Sequence, residues 1–578
     1  MKSFNRFWLF LSNKEKLNFF LIVFLSIFQA FLELLSIAAV IPFITILIKP
    51  DELNNFPFIE SFLQDTGFLF QENLVIILCL TFCLIFLIKN IFIVYINKKL
   101  FEFIFKFKTS LHLKLLNNIL HQDYLFYVEE GFSKINNILS EEVANYCLNS
   151  VRPMINLFRE FIIGFGILLL VFYVGHFKNL IFVIPFIIFI AFALKKINRS
   201  IKEWSKTRII NKENLVKYKY SLIHGIKEIL INGNISRVFD NFKKNYLSLQ
   251  NIDIKNNTIG TYPRALLEQT VVIIFIFIII LMNTTYNNFD DTLIILSFYL
   301  AVSYRLLPTI NNIAVANQQL KFGKPSYNKI HEYYSIKQKN IYLDSSEEKN
   351  NFVFKKSIRI ENLTFSHNNK NEIFKNLSFN LNKNEIVGIF GESGSGKSSF
   401  LDILTQLVKM NEGSLFLDDK KISGTIDIRK YQNLFTVVTQ DAFLSNESIL
   451  ENIILDNKKD NYNKDDLNEA LKFASLEDTI KSFPEGVNTK IGSAHKRISS
   501  GQKQRIAIAR SYYSKRKIFI LDEATNALDE KNERKIFENL KNLKNKLTII
   551  IISHKTENLK ICDKVYKIEN KRLINVNS

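Results

Sequence analysis

In the stretch "GESGSGKSS", Gly391 to Ser399, three glycines are interleaved with hydroxyl side chains and followed by a lysine. Glycine lets successive backbone N–H groups converge on one anion, and a helix starting at the lysine adds its partial positive charge. Gly391, Glu392, Ser393, Gly394, Ser395, Gly396 and Ser399 would then cradle phosphate oxygens, Lys397 would reach the β- and γ-phosphates, and Ser398 would hold magnesium. A second stretch, "KIFILDE", runs apolar residues into two adjacent carboxylates, Asp522 and Glu523. Asp522 at the end of a buried strand suits a water-bridged magnesium, and Glu523, turned to another side, suits orienting or deprotonating an attacking water. A third, "LTIIIISH", ends at His554, placed to contact a γ-phosphate if its strand lies beside the other two. A fourth, "KRISSGQKQR" from Lys496 to Arg505, almost spells a further nucleotide motif ahead of a helical pattern, "IAIARSYY".

These residues need elements that deliver them to one edge. "NEIVGIF" before the glycine loop is a short apolar strand and "FLDILTQLV" after it is a helix, the context that gives a phosphate loop its meaning. The apolar runs before Asp522 and His554 suit central strands of a parallel sheet covered on both faces, where ligands sit beyond the strand C-termini. Residues 354–578 therefore read as an α/β phosphate-loop domain, and 331–353 as a polar linker.

Residues 17–330 are a different material. Six segments carry the roughly 20 mainly apolar residues that a membrane crossing needs: Leu17 to Ile48, Leu74 to Ile96, Leu157 to Val174, Leu180 to Ile197, Ala265 to Met282 and Thr292 to Ile313. They lack the polar face of soluble helices. Residues 1–16, amphipathic and interspersed with basic residues, read as an interfacial elbow before a retained first span, not as a cleaved signal. The loop from Lys49 to Asn73 has one basic and five acidic residues, whereas Lys195 to Arg264 has fifteen basic and five acidic. Basic loops stay inside, so both termini and the nucleotide domain are expected in the cytoplasm. Asn97 to Arg152 and Asn198 to Pro263 read as helices that continue out of the membrane, with turns at "HQDYLFYVEEG" and "HGIKEILINGN" able to touch a cytoplasmic domain. Charges inside the spans, Glu33, Lys89, Glu268 and Arg305, with Arg264 at the entrance of the fifth, face either a cavity or one another.

The net charge of +20 suits an acidic membrane surface or nucleic acid, yet Lys, Asn, Ile and Phe dominate everywhere, as a composition bias would produce, and no nucleic-acid partner is expected. Cys79, Cys83, Cys147 and Cys562 show neither metal nor disulfide spacing.

Taken together, these residues resemble the ABC transporter superfamily: "GESGSGKSS" as the Walker A loop, Gln440 in "VVTQDAFL" as the Q-loop, "ISSGQ" as the signature, "ILDE" as Walker B, "NALD" as the D-loop and His554 as the H-switch. Six spans before one nucleotide domain resemble an exporter half-transporter, which implies a homodimer with two shared ATP sites. The resemblance assigns Glu523, His554 and Gln440 to hydrolysis, Ser398, Gln440 and Asp522 to Mg2+, and Asp529 to communication across the dimer. It also assigns Ser499, Gly501 and Gln502 to ATP bound by the other subunit, and His367 to the adenine-stacking position usually held by tyrosine. Within the signature, Ile498 and Ser500 replace the usual leucine and first glycine; Ser500 is expected to crowd a tight place and slow dimer closure. The stretch "IGSAHKR", with Ser493 and Ala494, departs from an acidic, glycine-rich family pattern.

In the membrane half, "FLELLSIAAVIPFI", "YPRALLEQ" and "SYRLLPTINNI" resemble bacterial lipid-linked oligosaccharide flippases. That likeness implies an inner-membrane translocase that moves a polyprenyl-pyrophosphate-linked glycan from the cytoplasmic to the periplasmic leaflet. Lys89, Arg264 and Arg305 would line its cavity, Lys89 standing where the family has an arginine, and the external stretch "FPFIESFLQDTGFLF" would be a helix against the lipid tail. The alternative is an exporter of another hydrophobic cargo, a drug, lipid or peptide.

Overall fold

The computed structural model describes residues 7–49, 71–175, 184–233, 235–285, 289–337, 352–366, 372–455, 462–491 and 498–576. The external stretch 56–70, His367, Ser493 and Ala494 lie outside these. The chain divides into two compact units, one of residues 1–120 with 130–337 and one of residues 121–129 with 338–578.

The first unit is helical. After a short turn over Phe7–Phe10, helix α1 (Asn13–Ala38) starts from a reciprocal cap: the Ser12 Oγ accepts from the Glu15 N–H (3.4 Å) and the Glu15 carboxylate accepts from the Ser12 N–H (2.6 Å). The main helices that follow are α2 (Gln71–Leu120), α3 (Arg152–Gly175), α4 (Ile184–His224), α5 (Ile235–Thr285) and α6 (Phe289–Ser335). Over the described residues, the six expected spans lie in helix apart from a turn at Ala39, the fourth being described only from Ile184 on.

Length and exposure decide how they are used. At roughly 1.5 Å per residue a helix as long as α2 reaches about 75 Å, more than twice a hydrocarbon core of about 30 Å, so it must continue outside it. Among the described residues, three helical stretches are long and apolar enough to cross a membrane: Asn13–Ile48, Ile76–Leu120 and Tyr124–Tyr173. Only 28%, 6% and 28% of their most apolar windows are buried. A soluble core would have buried them; lipid is the solvent these faces require. The path into α3 carries two π-helical turns, Ile138–Glu142 and Cys147–Val151, the second closely packed on α6 at Gly323.

In the second unit, β1 (Ser357–Ser366), β2 (Glu372–Asn382), β4 (Glu412–Leu417) and β5 (Lys420–Lys421) make an antiparallel sheet in the order β2-β1-β4-β5. The other sheet, β10-β9-β3-β8-β7-β6, joins β3 (Ile386–Gly391), β6 (Phe435–Val438), β7 (Ile518–Asp522), β8 (Thr548–Ile552) and β9 (Lys564–Glu569) in parallel, with β10 (Arg572–Asn575) antiparallel at its edge. The period of two sorts its residues between two cores. Phe519, Leu521, Ile549 and Ile551 face one, whereas Ile518, Ile520, Ile550 and Ile552 face the other. Leu125, from the turn "HQDYLFYVEEG", packs against the second core, so that turn belongs with the α/β unit.

A β-carbon at Gly323 would lie 2.6 Å from the Asn149 carbonyl oxygen and 2.5 Å from the Ser150 Oγ. Because one of those neighbours is backbone, Gly323→Ala is expected to cost about 1–3 kcal/mol, read as a lower melting midpoint of the purified protein.

Candidate functional site

The parallel register brings the chemistry to one edge. Ile389 of β3 pairs with Ile552 of β8, Ile552 with Asp522 of β7, and Leu521 of β7 with Val438 of β6. The glycine loop, Asp522, His554 and Gln440 therefore all leave the sheet at the same C-terminal side.

The glycine loop turns from β3 into α7 (Lys397–Leu404) through Gly396, whose φ of 102° lies in the left-handed region. A β-carbon there would also stand 2.8 Å from the Ile373 Cγ2 and 2.9 Å from the Phe374 Cζ, so glycine is required twice over. Lys397 is buried and its Nζ donates to the carbonyls of Gly391 (2.9 Å) and Glu392 (3.0 Å). Among the described residues no carboxylate lies within ion-pair distance of it, and the buried Ser395 Oγ has no hydrogen-bond partner. An uncompensated ammonium and an orphaned hydroxyl in one loop fit a nucleotide phosphate. Ser398 is exposed beside them.

Burial, with Glu523 and Asp402 adding to it and Lys397 opposing, pushes the Asp522 carboxyl up to about 6. Such a group gains by meeting a cation, and a divalent ion here would reverse the shift. Glu523 has a φ of 51°, a strained conformation for a side-chain-bearing residue that costs on the order of 1 kcal/mol and turns it away from Asp522. Its Oε1 meets the His554 Nε2 at 2.6 Å, its Oε2 accepts from the Asn526 Nδ2 (3.1 Å), and its N–H donates to the Ile552 carbonyl (3.1 Å). The structure thus joins Glu523 and His554 directly, a contact the sequence did not specify.

The signature opens α8 (Ser500–Tyr513) as a capping box: the Ser499 Oγ accepts from the Gln502 N–H (3.2 Å) and the Gln502 Oε1 accepts from the Ser499 N–H (3.0 Å). Ile498 packs against the larger core, filling the place expected of leucine. Ser500 is exposed within its own chain. A close approach lies at Gly501, where a β-carbon would lie 2.9 Å from the Ala527 carbonyl oxygen. Gln440 is exposed, and Asp529 caps α9 (Glu530–Lys541) by accepting from the Asn532 N–H (3.4 Å), while its other carboxylate oxygen accepts from the Asn532 Nδ2 at 2.6 Å. That bond is the main reason the Asp529 carboxyl sits below the usual range.

Sequence reasoning missed two buried polar residues around these loops, Gln504 and Glu533. Glu533 could have been found, because it lies in phase with Ile536 and Leu540 on the buried stripe of α9.

In the helical unit, four charged side chains, Glu33, Arg159, Glu160 and Arg305, meet one another. The Arg305 Nε lies 2.5 Å from the Glu33 Oε2, off the direction of a directed hydrogen bond, and its second guanidinium nitrogen is 3.8 Å from Glu160. Arg159, on the same helix as Glu160, lies 3.7 Å from that carboxylate and donates to Asn97 (3.2 Å) and Gln29 (3.5 Å). Asn312 donates to the Glu160 Oε1 (3.0 Å). Two carboxylates and two guanidiniums so form a neutral group across α1, α3 and α6. Arg159 and Glu160 were passed over because they stand at the edge of the third apolar run. Lys89 lies over the Phe86 ring at 4.1 Å, and Arg264 is exposed and paired with Glu268 at 2.8 Å.

Residues 374–526 match the ABC transporter family. The α/β unit is an ABC transporter domain. Similar proteins include the multidrug resistance-like ATP-binding protein MdlA of Buchnera aphidicola, 26% identical over 82% of this chain and 81% of its own. The ATP-dependent lipid A-core flippase of Photobacterium profundum is 32% identical over 38% of this chain and 37% of its own. The match spans 38% of the length of the first curated relatives, which are 35% and 36% identical to this chain. A solved bacterial Atm1-family ABC exporter with ATP bound superposes with a TM-score of 0.77 over 95% of this chain and 94% of that one, at 18% identity, which establishes an exporter-type fold. The ABC domain brings ATP binding with it.

The raised Asp522 carboxyl yields a sign. A buried acid whose folded pKa exceeds its unfolded value destabilises the fold once pH rises above both, so the penalty is present at pH 7 and absent below about pH 4. Asp522→Asn should therefore stabilise the metal-free protein near neutrality by on the order of 1 kcal/mol, discounted for partial exposure. The melting midpoint should rise at pH 7.5, remain unchanged at pH 4, and no longer respond to magnesium.

Proposed function

We propose that the protein is an ATP-driven membrane exporter that works as a pair of identical chains and hydrolyses Mg–ATP to move an amphipathic cargo. The observation that carries this reading is the convergence of Lys397, Asp522, Glu523 and His554 on one sheet edge, in a chain whose other unit is a bundle of lipid-facing helices. Lys397 and the loop N–H groups would hold the phosphates, and Ser398, Asp522 and Gln440 would hold magnesium. Glu523 would take the proton of the attacking water, with His554 leaving its carboxylate to meet the γ-phosphate. Ser499, Gly501 and Gln502 would serve ATP bound on the second copy. Dimerisation is also supported at the tip "HGIKEILINGN": its Leu230 and Ile231 and the preceding Ile223 are 59%, 74% and 71% exposed, apolar surface that water disfavours and a second copy's ABC domain would cover.

For the cargo, the reading is a polyprenyl-pyrophosphate-linked oligosaccharide carried from the cytoplasmic to the periplasmic leaflet of a bacterial inner membrane, supported by the three membrane motifs and by Lys89, Arg264 and Arg305. An anionic head group reaching Arg305 has to exchange with Glu33 and Glu160. That pairing favours a second reading, export of a hydrophobic cargo without a diphosphate.

Proteoliposomes separate the two. Glu523→Gln should lower ATP turnover by about 100-fold or more while ATP still binds. Wild-type vesicles should translocate a fluorescent polyprenyl-diphosphate glycan, and Arg264→Ala with Arg305→Ala should lose that transport with basal ATP turnover intact. Unchanged glycan transport in the double variant removes the phosphate-handling role, and stimulation by hydrophobic drugs alone selects the second reading.

A further inference from the structure

Beyond the strand ends the sheet fixes nothing, yet hydrolysis needs three loops in register: the one at Gln440, the one from Glu523 to Asp529, and the one from Ser553 to Asn558. Two buried polar side chains, contributed by helices on either side, hold the middle loop. Gln504 on α8 is 4% exposed; its Nε2 donates to the Gln440 carbonyl (3.2 Å) and its Oε1 accepts from the Ala527 N–H (3.1 Å). Glu533 on α9 is 7% exposed; its Oε1 accepts from the Thr525 Oγ1 (2.8 Å) and the Asn558 Nδ2 (2.9 Å), and its Oε2 accepts from the Lys555 Nζ (2.7 Å).

The two grips close on positions on either side of Asn526, Thr525 and Ala527, two and four residues beyond Glu523. Lys555 is the neighbour of His554, so the Glu533 clamp spans the same gap as the Glu523–His554 contact, one residue out. Gly501 presses its backbone against Ala527 from the signature side, so the middle loop cannot shift without moving the signature helix. The buried Glu533 carboxylate, with one cationic and two neutral donors, is well satisfied as it stands, and removing its charge releases the exposed Lys555 ammonium from its only carboxylate partner among the described residues.

We propose that Gln504 and Glu533 are positioning residues for ATP hydrolysis, Glu533 setting the His554 loop against Glu523 and Gln504 tying the same segment to the loop of Gln440. This rests on Glu523 and His554 being the hydrolytic pair. Neither side chain touches the nucleotide in this role; each holds a loop whose displacement by about 1 Å can cost on the order of 100-fold in rate.

The test uses the full chain in lipid nanodiscs with Mg–ATP. Glu533→Gln, equal in shape, should lower kcat about 10- to 100-fold with KM for ATP within about twofold. Lys555→Met should behave alike, Glu533→Asp should recover part of the rate, and His554→Ala should add little in the Glu533→Gln background. Gln504→Leu should lower kcat independently of His554, so its effect should multiply with that of His554→Ala. A wild-type kcat in both Glu533→Gln and Gln504→Leu overturns the inference. So does a joint loss of kcat and ATP affinity that tracks a fall in melting midpoint and multiplies with His554→Ala at Glu533. If Glu523→Gln keeps its turnover, the hydrolytic reading fails and takes this inference with it; if Glu523→Gln is inactive while the two positioning variants are not, only this inference fails.

Discussion

The parallel pairing of β3, β8 and β7 is the constraint on which the rest of the nucleotide site depends. Each strand is short and almost entirely apolar, so burial on both faces fixes its register, and a slip by one residue would exchange the two cores. With the register fixed, three loops distant in sequence emerge together, and the lysine, the carboxylates and the histidine need no further search to meet. The residual freedom lies in the loops, and there buried polar side chains replace the backbone ladder as the means of holding geometry. Glu523, held in a left-handed conformation between His554 and Asn526, shows what such support makes possible.

The helical unit obeys a different solvent. Its outward faces are apolar because hydrocarbon surrounds them, and four of its charged side chains neutralise one another, since an isolated charge at that depth is costly. Glu33, Glu160, Arg159 and Arg305 bind α1, α3 and α6 more specifically than van der Waals packing would. The same neutrality changes the meaning of Arg305, which offers an incoming anion an exchange of partners instead of a bare cation.

Much of this was legible in the sequence. The glycine loop, Asp522, Glu523 and His554 are read from spacing because strand, loop and helix signals flank each of them, and the six spans are read from apolar length. What the sequence could not give was partnership. The pairing of Arg305 with Glu33 joins residues 272 positions apart, and the Glu533 clamp depends on which helix face meets which loop. The close approach of Gly501 to the Ala527 carbonyl was hidden for a related reason, since it too depends on which loop meets the signature helix.

We propose that each hydrolytic site is built from two copies, the glycine loop of one facing the Ser499 signature of the other. The direct measurement is ATP turnover in dimers formed by mixing Lys397→Ala chains with Ser499→Arg chains. Each variant alone should be inactive. Mixed pairs should regain turnover, because one of their two shared sites then combines an intact glycine loop with an intact signature. A mixture as inactive as its parents, with mixed pairs shown to form, would contradict the account.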